Sequence, residues 1–364
     1  MANNSRADQR EIIFITRILS TGGAERVISE LASEWIRQGV KVTIVQMEPR
    51  KSEDDYGISP EIEIINFNNE GKGWLGKRIA EVRGLRALLR QRPGAVAISF
   101  VFSANYVLGF TRLLVRNRVI LSERNDPNAM SRLKRFLQVT SFRIADTCVF
   151  QTRDAMNFYP ASVQKKGVII PNPINPSLPD RFEGPRRRVI VTASRLDPQK
   201  NLRMLIDAFH AFDQAHPGYQ LLIYGRAHMP GDTESQLKEQ VRRLGLEDRV
   251  LFKGFATNLH EEIRDAAMYV CSSDYEGISN SVLEALALGI PTISTDCPIG
   301  GAREMIQDGV NGLLVPVGDS AAMARAMGRL AEDEAFRERI GAEGYRIREK
   351  YPVEAVAKKW LELV

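Results

Sequence analysis

Two carboxylates, Glu276 and Glu284, stand eight positions apart in the run Ser272-Ser-Asp-Tyr-Glu-Gly-Ile-Ser-Asn-Ser-Val-Leu-Glu-Ala-Leu-Ala-Leu-Gly289. Glu276 falls in a glycine-containing turn behind the apolar, strand-like stretch 267–271. Ser281 and Glu284 have the S-x-x-E spacing of a capping box ahead of the apolar residues 285–288, which predicts a helix starting at Ser281. One carboxylate then lies in the loop and the other in the first helical turn, with that turn's backbone N–H groups between them. Such groups, backed by the helix dipole, attract phosphate. Carboxylates beside them suit sugar hydroxyls, which are donors in need of strong acceptors. A diphosphate flanked by two sugars, as in a nucleotide-sugar, matches this arrangement. A capped core helix with two surface acids fits the same segment equally well.

Two other loops repeat the theme. Thr21-Gly22-Gly23-Ala24-Glu25-Arg26 follows the first strand-like run and opens an amphipathic helix. Paired glycines let backbone approach a ligand closely, although a tight turn needs them too. In the second half, Ala193-Ser194-Arg195-Leu196-Asp197-Pro198-Gln199-Lys200-Asn201 follows another strand-like run, with Asn201 placed as N-cap of the next helix. Arg195 and Lys200 are thereby held beyond the carboxyl end of a strand, where α/β sheets bind ligands. There they would neutralise a diphosphate and the charge of a departing nucleoside diphosphate, unless they simply decorate a solvated loop.

The elements that must position these loops alternate along the whole chain. Strand-like runs at 12–18, 40–47, 62–67, 95–101, 119–122, 147–151 and 167–170 are separated by helical patterns near 24–38, 77–91, 103–115, 129–143 and 152–158. The sequence Pro171-Asn-Pro-Ile-Asn-Pro176 can continue neither element and reads as a stiff linker. Strand-like runs resume at 189–193, 220–224, 250–253, 268–271, 292–295 and 312–315, and the tail beyond 319 reads as helices. The expectation is an α/β chain of two doubly wound, Rossmann-like domains: 1–171, and 172–344.

Composition bounds the partners. With 364 residues, 44 % apolar and 26 % charged, this is a soluble globular chain with ample core and no run long enough to span a membrane. Its first ten residues lack the apolar stretch of a secretory signal, so a cytoplasmic protein is expected. Cys148, Cys271 and Cys297 lie far apart and read as reduced core thiols. His210, His216, His228 and His260 show no ligand spacing, so no metal site is expected. The net charge of +5 is concentrated: between Lys72 and Arg92 seven cations face one acid, Glu81, and Arg132, Lys134, Arg135 and Arg143 add a second basic stretch. That asymmetry points to an anionic partner.

A helix over 74–91 would place Leu75, Ile79, Val82, Leu85 and Leu89 on one face, with Arg83, Arg86 and Arg90 in an adjoining stripe beside Lys77 and Arg78. With Trp74 at its start, this is the composition of an interfacial helix on an anionic membrane, or of a core-facing helix with a solvated basic edge. Nucleic acid is not expected, because base-stacking aromatics are not interleaved with the arginines. Residues 71–76, Gly-Lys-Gly-Trp-Leu-Gly, match a dinucleotide fingerprint but follow the third strand rather than the first and lack the distal acid. No Walker A loop is present.

Taken together, Gly22-Gly23-Ala24-Glu25-Arg26, Ser194-Arg195-Leu196 with Gln199-Lys200-Asn201, Phe252-Lys253-Gly254, Glu276-Gly277-Ile278-Ser279-Asn280 with Leu283-Glu284-Ala285, and Thr295-Asp296-Cys297-Pro298 with Gly300-Gly301 and Glu304 resemble glycosyltransferase family 4, in order and over most of the chain. Within it the chain is most similar to bacterial enzymes that extend polyprenyl-diphosphate-linked or lipopolysaccharide glycans. The resemblance implies a GT-B fold, with the two domains facing a central cleft and a C-terminal helix, about 345–364, returning to the first domain. It also implies retention of anomeric configuration, no metal and no cofactor beyond the nucleotide-sugar co-substrate.

Carried over by motif, Arg195 and Lys200 would bind the donor diphosphate, and Glu284 the ribose. Glu276 would contact the transferred sugar, beside the backbone of Gly277, Ile278, Ser279 and Asn280, with Leu283 close by. Gly22, Gly23 and Glu25 would close over the diphosphate, while Phe252 and Gly254 would lie near the base. The expected acceptor is a lipid-linked saccharide, reached by a cytoplasmic protein peripheral on the inner face of the cell membrane.

Two positions depart from the family pattern. Tyr224-Gly225-Arg226-Ala227 stands where many relatives have a Gly-Asp-Gly-like turn, and Ser122-Glu123-Arg124-Asn125 where related enzymes often have Ser-Glu-His-Asn. Arg124 is therefore grouped with the acceptor or membrane side, without an acid–base role. The competing readings are a catalytically silent nucleotide-sugar-binding partner of another transferase, and a non-hydrolysing sugar-nucleotide epimerase.

Overall fold

The computed structural model describes residues 10–19, 22–48, 59–67, 71, 73–227 and 233–364. Thr21, Lys72 and His228 lie outside the described residues. The chain divides into two compact units, one ending at Pro173 and completed by Val353–Val364, the other Ile174–Pro352.

In the first unit the elements run β1 (Glu11–Thr16), α1 (Gly23–Arg37), β2 (Lys41–Gln46), β3 (Glu63–Asn66), α2 (Trp74–Gln91), β4 (Val96–Ser99), α3 (Phe102–Thr111), β5 (Val119–Glu123), α4 (Arg132–Ile144), β6 (Thr147–Phe150), α5 (Arg153–Asn157), α6 (Ala161–Gln164) and β7 (Gly167–Ile169). Ile12, Ile13, Phe14 and Ile15 of β1 are all fully buried, as a parallel strand covered on both faces requires. The seven strands are ordered β3-β2-β1-β4-β5-β6-β7, and every pairing is parallel. The edge strand β3 is short and mostly exposed, which limits its value as a template for other chains.

The second unit contains β8 (Arg187–Ala193), α7 (Leu202–Ala215), β9 (Gln220–Tyr224), α8 (Thr233–Arg243), β10 (Val250–Gly254), α9 (Leu259–Ile263), β11 (Ala266–Cys271), α10 (Asn280–Ala287), β12 (Thr292–Thr295), α11 (Gly301–Met305), β13 (Leu313–Val315), α12 (Ser320–Glu332), α13 (Glu334–Tyr345) and α14 (Ile347–Lys350). Its six-stranded parallel sheet has the order β10-β9-β8-β11-β12-β13. In each sheet the strand order reverses direction once, between β1 and β4 and between β8 and β11. Loops leaving those neighbouring strands diverge to opposite sides, which opens a crevice at the strands' carboxyl ends.

The tail is not one helix from 345 to 364. Pro352 cannot donate to a preceding turn, so α14 stops at Lys350 and α15 (Val353–Leu361) begins afresh. Residues up to Pro352 stay with the second unit, where the Ile174 N–H donates to the Tyr351 carbonyl at 2.9 Å. Helix α15 packs in the first unit. Trp360 is fully buried against Phe100, with ring centroids 5.1 Å apart, and the Trp35 indole donates to the Ala357 carbonyl at 3.2 Å. Phe14 bridges Trp35 and Phe100 at 5.4 and 5.3 Å. The proline-rich 171–174 segment is likewise buried rather than a solvated spacer.

Trp360→Ala should therefore cost about 3–5 kcal/mol. The expected result is a lower denaturant midpoint for the first unit and faster proteolytic loss of the last residues. An unchanged midpoint would show that α15 is not part of that core.

Candidate functional site

In the second sheet, Met268 and Tyr269 of β11 lie opposite Ile190 and Val191 of β8, so the loops leaving both strands emerge side by side. The Tyr269 hydroxyl fixes the end of β8, accepting from the Ala193 N–H at 3.3 Å and donating to its carbonyl at 3.2 Å. Beyond Ala193 the chain makes a short 3-10 turn, Pro198–Lys200, and reverses at Asn201. Asn201 sits at φ 43°, ψ 46° and caps α7 by accepting from the Met204 N–H at 3.2 Å. Asparagine is among the few residues that take this left-handed conformation readily, and so it can both turn the chain and cap.

The two loops are laced together. The Asp274 N–H donates to the Gln199 carbonyl at 2.9 Å, and the Gln199 side chain returns a bond to the Tyr275 carbonyl at 2.8 Å. The Asn201 amide donates to Asp274 Oδ1 at 2.6 Å, and the Ser272 hydroxyl to the Lys200 carbonyl at 2.7 Å. Within this frame the Lys200 ammonium pairs directly with the Glu276 carboxylate, which also accepts from the Ser273 hydroxyl at 3.1 Å. Burial alone would lower the Lys200 pKa. The charge and hydrogen bond of Glu276, together with Cys271, outweigh it and hold the ammonium above its ordinary range. Arg195 is paired with Asp197 of its own loop at 3.1 Å and is 48 % exposed, so that contact is weak and readily exchanged.

Helix α10 starts two residues earlier than a capping box at Ser281 and Glu284 requires. Its N-cap is Ser279, whose hydroxyl makes no cap bond and lies 3.1 Å from that of Ser281. Glu284 is then the fifth helical residue, too far along to reach back to the cap. Its buried carboxylate instead meets His260 Nε2 of α9 at 2.9 Å. The expected capping box is therefore replaced by a cross-element contact, and His260 joins the site. Ile278 and Leu283 are buried in the core, which leaves their backbone as the part able to meet a ligand.

Glycines set the packing of the remaining loops. Gly225 has φ +129°, and a Cβ there would collide with the Ser194 carbonyl oxygen. Its N–H donates to the Gly254 carbonyl at 2.8 Å, while the Leu196 N–H donates to the Arg226 carbonyl at 3.1 Å. The loops after β8, β9 and β10 are thus stacked. A side chain at Gly301 would strike the Gly277 carbonyl in the same manner. Phe252 is half-buried, with Lys238 Nζ 5.6 Å from its ring, whereas Phe255 is 47 % exposed with the Arg226 guanidinium 5.4 Å from its ring centre.

In the first unit, Gly22 is the N-cap of α1, Gly23 opens the helix, and the Glu25 carboxylate folds back against Gly22. Lys77 donates to Glu48 at 2.5 Å and Arg78 to the fully buried Glu81 at 2.6 Å, so both cations serve as struts within the unit. Burial opposes ionisation of Glu48, but Lys77 and Arg17 hold its carboxyl below the usual range. At Glu81 burial prevails and pushes the carboxyl up despite Arg78. Arg83 and Arg90 are exposed and Arg86 is half-buried. Leu85 and Leu89 of α2 are buried as expected, but Leu75 and Ile79 are 63 % and 43 % exposed, and Trp74 70 %. On α4, Leu133 and Phe136 are 69 % and 66 % exposed among Arg132, Lys134 and Arg135. Arg124 follows β5 and donates to Asn172 Oδ1 at 2.6 Å.

Among the described residues, no three His, Cys, Asp or Glu side chains group closely enough to hold a metal ion, and no helix is long and apolar enough to cross a membrane.

Residues 21–178 match the model of Glycosyltransferase Family 4 and residues 179–347 that of Glycosyl transferases group 1. The chain is 24 % identical to the GalNAc-alpha-(1->4)-GalNAc-alpha-(1->3)-diNAcBac-PP-undecaprenol alpha-1,4-N-acetyl-D-galactosaminyltransferase of Campylobacter jejuni, over 97 % of this chain and 98 % of that one. It is also 24 % identical to an amylovoran biosynthesis glycosyltransferase of Erwinia amylovora, over 97 % and 99 %. Among solved structures, the sucrose-phosphate synthase of Thermosynechococcus elongatus superposes with a TM-score of 0.85 at 19 % identity, covering 97 % of this chain and 98 % of that one. Anabaena HepE in complex with UDP gives 0.80 at 20 % identity over the same shares.

The Lys200–Glu276 pair is testable by a double-mutant cycle. Lys200→Ala or Glu276→Ala alone strands a mostly buried partner and should cost about 1–3 kcal/mol of stability in the second unit. The double variant should cost less than the sum of the two. Strictly additive losses in denaturant titration would show that the two groups do not interact.

Proposed function

The chain belongs to glycosyltransferase family 4 and has the GT-B fold, and from that premise we propose that it moves a hexose or N-acetylhexosamine from a UDP-sugar to a lipid-linked saccharide. The transfer proceeds with retention of configuration, without a metal ion, in the assembly of a bacterial surface glycan. The observation that carries this reading is the laced pair of loops after β8 and β11, which sets Lys200 against Glu276 at the reversal of strand order. The undecaprenol-linked substrate named for the Campylobacter relative and the UDP held by Anabaena HepE support the choice of acceptor and donor class.

In this reading the site holds its charges as pairs. An arriving diphosphate offers Lys200 and Arg195 a stronger anion than their present carboxylate partners. Glu276, thus released, accepts from hydroxyls of the transferred sugar. Glu284, held by His260, accepts from the ribose. The base lies towards the loop carrying Gly254 and Phe255. As the bond between C1 and the phosphate oxygen breaks, the departing negative charge is stabilised by Lys200, Arg195 and the N-terminus of α10. The acceptor hydroxyl oxygen forms the new bond to C1 from the same face, and its proton passes to the departing phosphate. Retention follows without a covalent intermediate on Glu276.

The protein works from the cytoplasmic side, peripheral on the membrane. The exposed Trp74, Leu75 and Ile79 of α2, together with Leu133 and Phe136 of α4, supply apolar contacts, and the arginines and lysine beside them supply attraction to anionic headgroups.

A panel of nucleotide-sugars, incubated with extracted polyprenyl-linked glycans, should give nucleoside diphosphate release that depends on the acceptor. Donor binding without release would instead identify a silent partner, and donor interconversion without acceptor an epimerase. Either result overturns the proposal. Arg83→Gln with Arg90→Gln should weaken co-sedimentation with anionic vesicles roughly tenfold or more, at about 1 kcal/mol per charge. UDP affinity should be preserved, and unaltered vesicle binding would remove α2 from the membrane surface.

A further inference from the structure

The Arg124 guanidinium is enclosed and forms no ion pair among the described residues. It lies at the carboxyl ends of the central strands of the first sheet, immediately after β5, where parallel sheets hold ligands. One of its nitrogens, Nη1, donates to Asn172 Oδ1 at 2.6 Å, and the same oxygen accepts from the Gln151 amide at 2.7 Å. Its Cζ lies 4.1 Å from the centre of the Phe100 ring and 5.4 Å from that of Trp360. One edge of the guanidinium is thereby held and its carbon rests against two rings. The other edge, Nε with Nη2, is enclosed and finds no hydrogen-bond acceptor among the described residues.

The adjacent carboxylate of Glu123 makes no ion pair with it. Glu123 accepts from the Tyr159 hydroxyl at 2.5 Å, the Gln138 amide at 2.9 Å and the backbone N–H groups of Arg124 and Asn125 at 3.1 and 3.2 Å. Burial pushes its carboxyl up. Burial also draws Arg124 down to about 9, with Glu123 only partly opposing it, as expected for a guanidinium lacking a partner. Nε and Nη2 present two parallel N–H bonds, the side-on fork that matches two oxygens of one carboxylate or phosphate.

Resting on the transferase reading above, we infer that Arg124 is a clamp for an oxyanion carried by the substrate, gripping two of its oxygens through Nε and Nη2. That chemistry has two sources in a lipid-linked saccharide, the carboxylate of an acidic sugar or the phosphate of the lipid. Neutral sugars leave the fork unsatisfied, so the clamp selects for charge.

Calorimetry on the full chain in saturating UDP tests this with two probe pairs: methyl glucuronoside against methyl glucoside, and geranyl diphosphate against geraniol. The wild type should prefer the anionic member of one pair at least tenfold, and which pair shows the preference names the source. Arg124→Gln should abolish that preference. Arg124→Lys, which keeps the charge but not the fork, should retain only part of it. No preference in either pair, or a preference that persists in full in either variant, overturns the clamp. Should Arg124→Gln lose its melting transition, the lysine variant decides by the same criterion. Titration with UDP alone reports the second unit throughout, so a chain that binds no UDP fails the transferase reading rather than the clamp.

Discussion

The chemistry of the second unit depends on the adjacency of β8 and β11. A parallel sheet whose order reverses once has two neighbouring strands whose connections run on to opposite faces, and the loops at their carboxyl ends are the natural place for a ligand. Here that geometry brings Lys200 and Glu276, 76 positions apart in sequence, into one ion pair. The surrounding bonds from Gln199, Asn201 and Ser272 fix the backbone before any substrate arrives. The pair is weak evidence for stability, since desolvation offsets much of its attraction. Its value is positional: a cation and an acceptor stand ready at hydrogen-bonding distance, each able to exchange its partner for part of a nucleotide-sugar.

The layers of the fold were legible because strands buried on both faces read as continuous apolar runs, and each run expected from the sequence corresponds to a strand of one of the sheets. Asn201 was legible too, since few residues suit both a left-handed turn and an N-cap. The start of α10 was not. The Ser281–Glu284 spacing satisfies a local rule, yet α10 starts at Asn280 and the Glu284 carboxylate meets His260 instead. His260 itself could not be found by spacing, because its contact spans 24 residues and two elements. The break at Pro352 was visible in the sequence, but a helical tail was expected to run through it.

In the basic segment, too, partners come from outside the local window. Lys77 and Arg78 were counted in a window holding one acid, but Lys77 finds Glu48, which lies outside that window, and Arg78 finds Glu81 inside the fold. Arg92 is spent on Glu11 and Glu63 at the edge of the sheet. What remains for a partner is smaller and better defined: the exposed arginines of α2, the apolar residues that lift away from the core at its start, and the matching patch on α4. Arg124 is the opposite case. It is enclosed, stacked and braced, yet half of its hydrogen-bonding edge has no acceptor among the described residues. An oxyanion gripped at that edge is what the proposed clamp supplies.

The most direct measurement is a crystal structure of the chain with UDP bound. There the Lys200 ammonium should leave Glu276 and contact a phosphate oxygen, while the bonds from Gln199, Asn201 and Ser272 that lace the loops stay intact. UDP bound elsewhere, with the Lys200–Glu276 pair undisturbed, would contradict it.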